Sequence, residues 1–99
     1  MDKKKIYMID IDGTICDSRD GYESAKPFIH RIKWFNDFYK NNHLIYWTAR
    51  GTTTGIDWRE LTEKQLKEWG VKYHELRLGK PEYDVWIDDK CTNPALWLR

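Results

Sequence analysis

The sequence has little cysteine, little proline and almost no net charge. Its 99 residues include two Cys, three Pro and six Gly. Cys16 and Cys91 stand far apart, without a CxxC or Cys/His ligand spacing, so neither a secreted disulfide framework nor a zinc site is encoded. Two free thiols in a reducing cytoplasm fit that pattern, and a cytoplasmic protein is the expectation. Seventeen Lys plus Arg against sixteen Asp plus Glu leave a net charge of +1. No global field gathers nucleic acid or anionic membrane, and an anion must be held by a local site. No apolar run approaches the roughly 20 residues of a membrane span. The basic start, Met1 to Lys5, resembles a signal n-region, but Asp10 and Asp12 interrupt the apolar stretch behind it, so no export signal is read.

What the chain does have is rings: six Trp, six Tyr and three Phe, with 40% apolar and 33% charged residues. That is too aromatic for disorder, and the length suits one domain over residues 1–99. No internal repeat or low-complexity stretch is present. Ile6 to Ile9 is a continuous apolar run, expected as a first, central strand covered on both faces. The polar stretch from Gly13 to Lys26 reads as a loop lying over the end of that strand. Pro27 suits a first helical position, and Phe28, Ile32, Phe35 and Tyr39 mark one helical face that Asn41 and Asn42 can end.

Leu44 to Trp47 is a second strand, followed by a loop from Thr48 to Gly55. Asp57 with Glu60 resembles a capping box, and Trp58, Leu61, Leu66 and Trp69 mark a helical stripe closed by Gly70. Tyr73 to Leu76 reads as an edge strand, and Asp84 to Ile87 as a fourth strand ending in Asp88-Asp89. Strands alternating with helices predict an α/β fold with a three-layer, Rossmann-like parallel sheet.

Ligands of such sheets bind beyond the carboxyl ends of the strands, and that rim collects acids. Asp10 and Asp12, two apart, end one strand, and Asp88 and Asp89 end another. Four converging carboxylates repel unless a cation offsets them. An all-oxygen set without His or Cys favours Mg²⁺. The plainer reading of Asp10-Ile11-Asp12-Gly13-Thr14, a strand end and a turn, accounts for an isolated Asp-Gly. It does not account for a second acidic pair and a Thr at the ends of other strands.

Asp10-Ile11-Asp12-Gly13-Thr14, Thr48 after an apolar strand, Lys80, and Asp88-Asp89 resemble the four motifs of the haloacid dehalogenase-like (HAD) superfamily of phosphatases. Through Tyr46 to Gly51, Gly79-Lys80-Pro81 and Ile87 to Lys90, the chain is most similar to small bacterial and phage phosphatases of capsule or surface-sugar biosynthesis. The resemblance implies that Asp10 is the nucleophile, forming an aspartyl-phosphate, and that Asp12 is the general acid and base. It implies phosphate binding by amides around Gly13 and Thr14 and by the hydroxyl of Thr48, with Ala49 and Arg50 beside it. Mg²⁺ would be held by Asp10, the carbonyl of Asp12, and Asp89, with Asp88 behind it. The substrate would be a sugar phosphate or another small phosphorylated metabolite.

Lys80 fits the cation of the third motif, but only Pro81 to Tyr83 separate it from the strand expected at 84–87. Either Lys80 reaches up the sheet, or a strand is short and irregular, or Arg50 or Lys90 supplies the charge instead. Arg50 reads equally as a phosphate-gripping fork or as a loop salt bridge. His30, His43 and His74 lack ligand spacing and carry no assigned role. The stretch Cys16 to Lys26 is long enough for a flap and too short for a folded cap, so the site should be open or covered by a second copy. The apolar tail from Pro94 to Arg99 is expected to pack on the core or on another subunit. Three other activities compete: a phospho-accepting receiver-like module, a binding protein on the same scaffold, and a polynucleotide phosphatase, which the near-neutral charge disfavours.

Overall fold

The apolar run behind the N-terminal lysines forms β1 (Ile6–Ile9), and the second run forms β4 (His43–Trp47). Between them lie β2 (Cys16–Asp17), a single helical turn at Tyr22–Ser24, β3 (Lys26–Pro27) and helix α1 (Ile29–Tyr39). Helix α2 (Arg59–Glu68) and strand β5 (Glu75–Arg77) follow. The computed structural model describes residues 4–94. The tail expected to pack on the core or a partner therefore lies, from 95 onward, outside the described residues. Among the described residues, no helix is long and apolar enough to cross a membrane.

The chain is an α/β fold whose main sheet runs β1-β4-β5, all parallel, with Tyr7 opposite Leu44 and Tyr46 opposite Leu76. The expectation that β1 is central is corrected: β4 is central and β1 is an edge. Both crossovers step the same way, and right-handed connections then put both helices on one face. On that face Ile9, Leu44 and Tyr46 join Ile32 and Phe35 of α1 and Leu66 of α2 in one core, with Tyr7 and Leu76 packed against it. The alternate residues of β1 lie on the other face and stay largely uncovered, Ile6 being 69% and Met8 48% exposed. Ile45 of β4, in contrast, is buried.

Helix α1 forms where the stripe of large rings predicted it. Trp34 meets Phe38 edge-on at 4.6 Å, and Phe38 stacks on Tyr7 of β1 at 5.0 Å. Asn42 ends the helix as expected, its amide donating to the Phe38 carbonyl. Pro27 is not in the helix; it sits in β3, paired with Cys16, and α1 begins after Phe28. Asp57 does not make the predicted capping box but accepts the Arg59 amide in a short turn before α2. Gly70, at φ 71°, closes α2 as predicted. The Gly70 amide donates to Lys67 and the Val71 amide to Leu66, the paired bonds that need a left-handed residue at this position.

The fourth strand expected at Asp84 to Ile87 is not formed. Residues 81–93 run without a strand, and Val85 and Ile87 are 72% and 92% exposed. A short run of strand formers makes a strand only when a neighbour supplies hydrogen bonds, and none of the described strands is paired to this one.

Candidate functional site

The carboxyl ends of β1 and β4 and the loop after β5 frame a cleft of about 320 Å³. Asp10 and Asp12 form one wall, Lys80 and Tyr83 another, and Tyr22 and Glu82 stand at the rim. The sequence left the place of Lys80 open, and the structure puts its ammonium 3.6 Å from Asp10, with only 11% of the side chain exposed. It arrives there because the loop after β5 stays at the top of the sheet. The Lys80 amide donates to the Thr48 carbonyl, and the Thr52 hydroxyl donates to the Lys80 carbonyl. Tyr83 and Trp86 flank the ammonium, their ring centres 5.0 and 5.5 Å away. Burial raises the Asp10 carboxyl above its usual value, with Lys80 pulling the other way.

Asp12 is held differently. Both its oxygens accept from Arg50, from Nε at 3.2 and 3.0 Å and from Nη2 at 2.9 Å. Arg50 is 1% exposed. Its Nη1 donates to Thr62 Oγ1 at 3.1 Å and to Gln65 Oε1 at 2.6 Å, both on α2. The same guanidinium lies 4.8 Å from the centre of the Tyr22 ring. Gln65 also donates to the Tyr22 carbonyl at 2.6 Å, and Tyr22 packs edge-on against Trp58. Of the two readings of Arg50, the salt bridge is the one observed. Neither Tyr22 nor the Thr62–Gln65 pair was identified from sequence. A signal was present, since two polar residues interrupt the stripe of α2 just before Leu66, and polar groups on a buried face need partners.

The loop after β4 explains how Arg50 is aimed inward. Thr48 is fully buried, and its Oγ1 accepts the Arg50 amide at 3.1 Å. Gly51 follows at φ 83°, and a Cβ there would collide with the Ile56 carbonyl, so the loop closes tightly behind Arg50. Ala49 lines the cleft.

The turn after β1 does not present the amides expected to bind phosphate. The Gly13 amide donates to Cys16, and the Thr14 amide to Ile11. The carbonyls of Gly13 and Thr14 accept from Arg31. Both residues are spent in holding the turn. Cys16, buried beside Asp12 and Arg50, has its thiol pushed up to about 12 by burial and by the Asp12 charge.

Asp88 and Asp89 are exposed and are not brought together with the first pair as a ligand set. No three His, Cys, Asp or Glu side chains among the described residues form a group that could hold a metal. Asp88 instead accepts the Lys90 amide, which lowers its carboxyl below the usual range. Lys90, the alternative cation, lies in this same exposed stretch.

No family model and no curated protein matches the chain. A crystal structure of an MCSG target from Vibrio cholerae is similar with a TM-score of 0.83, covering 96% of this chain and 87% of that one at 24% identity. A likeness at that identity speaks for a shared fold.

Proposed function

We propose that the protein is a phosphomonoester hydrolase of the HAD type that works through an aspartyl-phosphate on Asp10. The observation that carries this reading is the cleft itself: Asp10, beside a lysine 3.6 Å away, opens onto the same space as a second carboxylate two residues on. An Asp10 oxygen attacks phosphorus, and the bond to the ester oxygen breaks with its electron pair. Asp12 gives that oxygen a proton. Water then attacks the aspartyl-phosphate, Asp12 takes the water's proton, and phosphate leaves. Lys80 offsets the charge gathered on Asp10 and the phosphoryl group. The cleft suits a phosphate carrying one sugar-sized group, with Tyr22, Glu82 and Tyr83 as the surfaces that group meets.

The reading includes Mg²⁺, which would offset charge on the transferring phosphoryl oxygens. As arranged, the residues supply too few oxygens for such an ion. The Asp12 carboxylate is taken by Arg50, Asp10 faces Lys80, and Asp88 and Asp89 stand elsewhere. The finer fold belongs to the same proposal: a three-layer, Rossmann-like sheet built on the three parallel strands described above.

The test is phosphate release from a panel of sugar, polyol and nucleotide phosphates, with and without Mg²⁺, beside Asp10→Asn. Wild type should release phosphate from at least one of these esters, and the folded variant should release none in either condition. Equal turnover by both proteins would overturn the mechanism.

A further inference from the structure

Arg50 is the most completely buried charged side chain described, and its surroundings leave it no free hand for a ligand. Nε and Nη2 are committed to Asp12, and Nη1 to Thr62 and Gln65. Nη2 also lies 3.9 Å from Cys16 Sγ. Arginine commonly grips phosphate through two parallel donors, and here both edges of the fork are already taken. An internal ion pair is also weak evidence for stability, because desolvation offsets much of its attraction. What a planar fork does supply is direction: two donors on one carboxylate fix both its place and its plane.

We propose that Arg50 is a positioning residue for Asp12, and that Thr62 and Gln65 of α2 set the angle at which it holds that carboxylate. The Asp12 side chain is 24% exposed while that of Arg50 is 0%, so the carboxylate is gripped from the core side and stays open to the cleft. Gln65 makes the arrangement a three-way tie. Its Oε1 accepts from Arg50 and its Nε2 donates to the Tyr22 carbonyl, so α2, the flap turn and the acid-base group move as one unit. A group seated against Tyr22 then bears on the placement of Asp12 through one side-chain amide.

This inference rests on the phosphatase reading, and its test separates the two. Positioned acid catalysis matters most for a poor leaving group, so two esters are compared: glycerol phosphate, an alkyl ester, and dinitrophenyl phosphate, an activated aryl ester. The quantity is kcat/KM with Mg²⁺, which stops at formation of the aspartyl-phosphate. Gln65→Met and Thr62→Val keep the charges and the size, and each should lower kcat/KM for glycerol phosphate about tenfold or more while changing the aryl ester by less than about threefold. Arg50→Lys should show the same split more strongly, since an ammonium holds a carboxylate without fixing its plane. Equal losses on both esters, in variants with wild-type melting curves, would mean a structural role only and overturn the positioning claim. A wild-type protein that hydrolyses neither ester would overturn the phosphatase reading first, and the role of Asp12 with it.

Discussion

The two acidic pairs look alike in sequence and live in opposite surroundings. Asp10 and Asp12 end a paired strand, one beside a lysine that is 11% exposed and the other in the fork of a buried arginine. Asp88 and Asp89 follow a run that forms no strand, and the largest influence on Asp88 is a bond to an amide two residues on. A carboxylate at a strand end is thus a candidate for chemistry only once something distant in sequence holds it. For Asp12 that something is 38 residues away.

The largest expected contrast between the two regions is in their thiols. Cys16 sits against Asp12, and Cys91 is exposed just beyond Asp89. A thiol held at about 12 instead of its ordinary value of about 9 presents roughly a thousandfold less thiolate at neutral pH. Native protein should therefore lose one thiol quickly to iodoacetamide and the other only on denaturation, followed by mass spectrometry with peptide mapping. Rapid labelling of Cys16 would show that the Asp12–Arg50 side is as open as the other.

Next in size is stability. Arg50→Ala leaves the Asp12 charge and the Gln65 carbonyl oxygen without their partner, and should cost about 3 kcal/mol in urea denaturation. Asp88→Ala and Asp89→Ala, tested without metal, should each leave the urea midpoint nearly unchanged. Similar losses at both pairs would erase the distinction.

The smallest effect is in pH, and it has opposite signs at the two pairs. Burial raises Asp10, so as pH falls the folded chain takes up this proton before the unfolded chain does. The penalty for its charge is fully present above the folded value, shrinks as pH falls through it, and is gone below the unfolded value. The Asp88 carboxyl is lowered, so the stability it contributes is full above the unfolded value and is lost as pH falls through the folded one. In EDTA, the gain in melting temperature of Asp10→Asn over wild type should shrink on acidification from neutral pH. The deficit of Asp88→Asn should shrink over a lower range. A gain for Asp10→Asn that grew with acid would contradict its buried environment.

Much of the scaffold was legible in the sequence because it rests on local pattern. The stripe through Ile32 and Phe35, the strand at Leu44 to Trp47, the edge strand near Leu76 and the glycine at 70 follow from periodicity and backbone freedom. Strand order was not legible, since an apolar run such as Ile6 to Ile9 reads the same at an edge as at the centre. The run at Asp84 to Ile87 was misjudged for the same reason: strand propensity names a segment that wants a partner without saying whether one is at hand. At the site, the sequence brought out Asp10, Asp12 and Thr48 by their places at strand ends, and Lys80 through its resemblance to a family motif. Arg50 was legible as a salt-bridge former but its hold on Asp12 was not, because Thr62 and Gln65, the polar breaks in the stripe of α2, meet their partner only once the helix is docked.

The strap between the loops after β4 and β5 has a consequence for what the cleft admits. With the Lys80 amide on the Thr48 carbonyl and the Thr52 hydroxyl on the Lys80 carbonyl, the loop that carries Lys80 is fastened to the loop after β4. The Lys80 bank is thereby anchored to the central strand, and a bulkier guest gains room on that side by displacing the rings of Tyr83 and Trp86 and not the lysine between them.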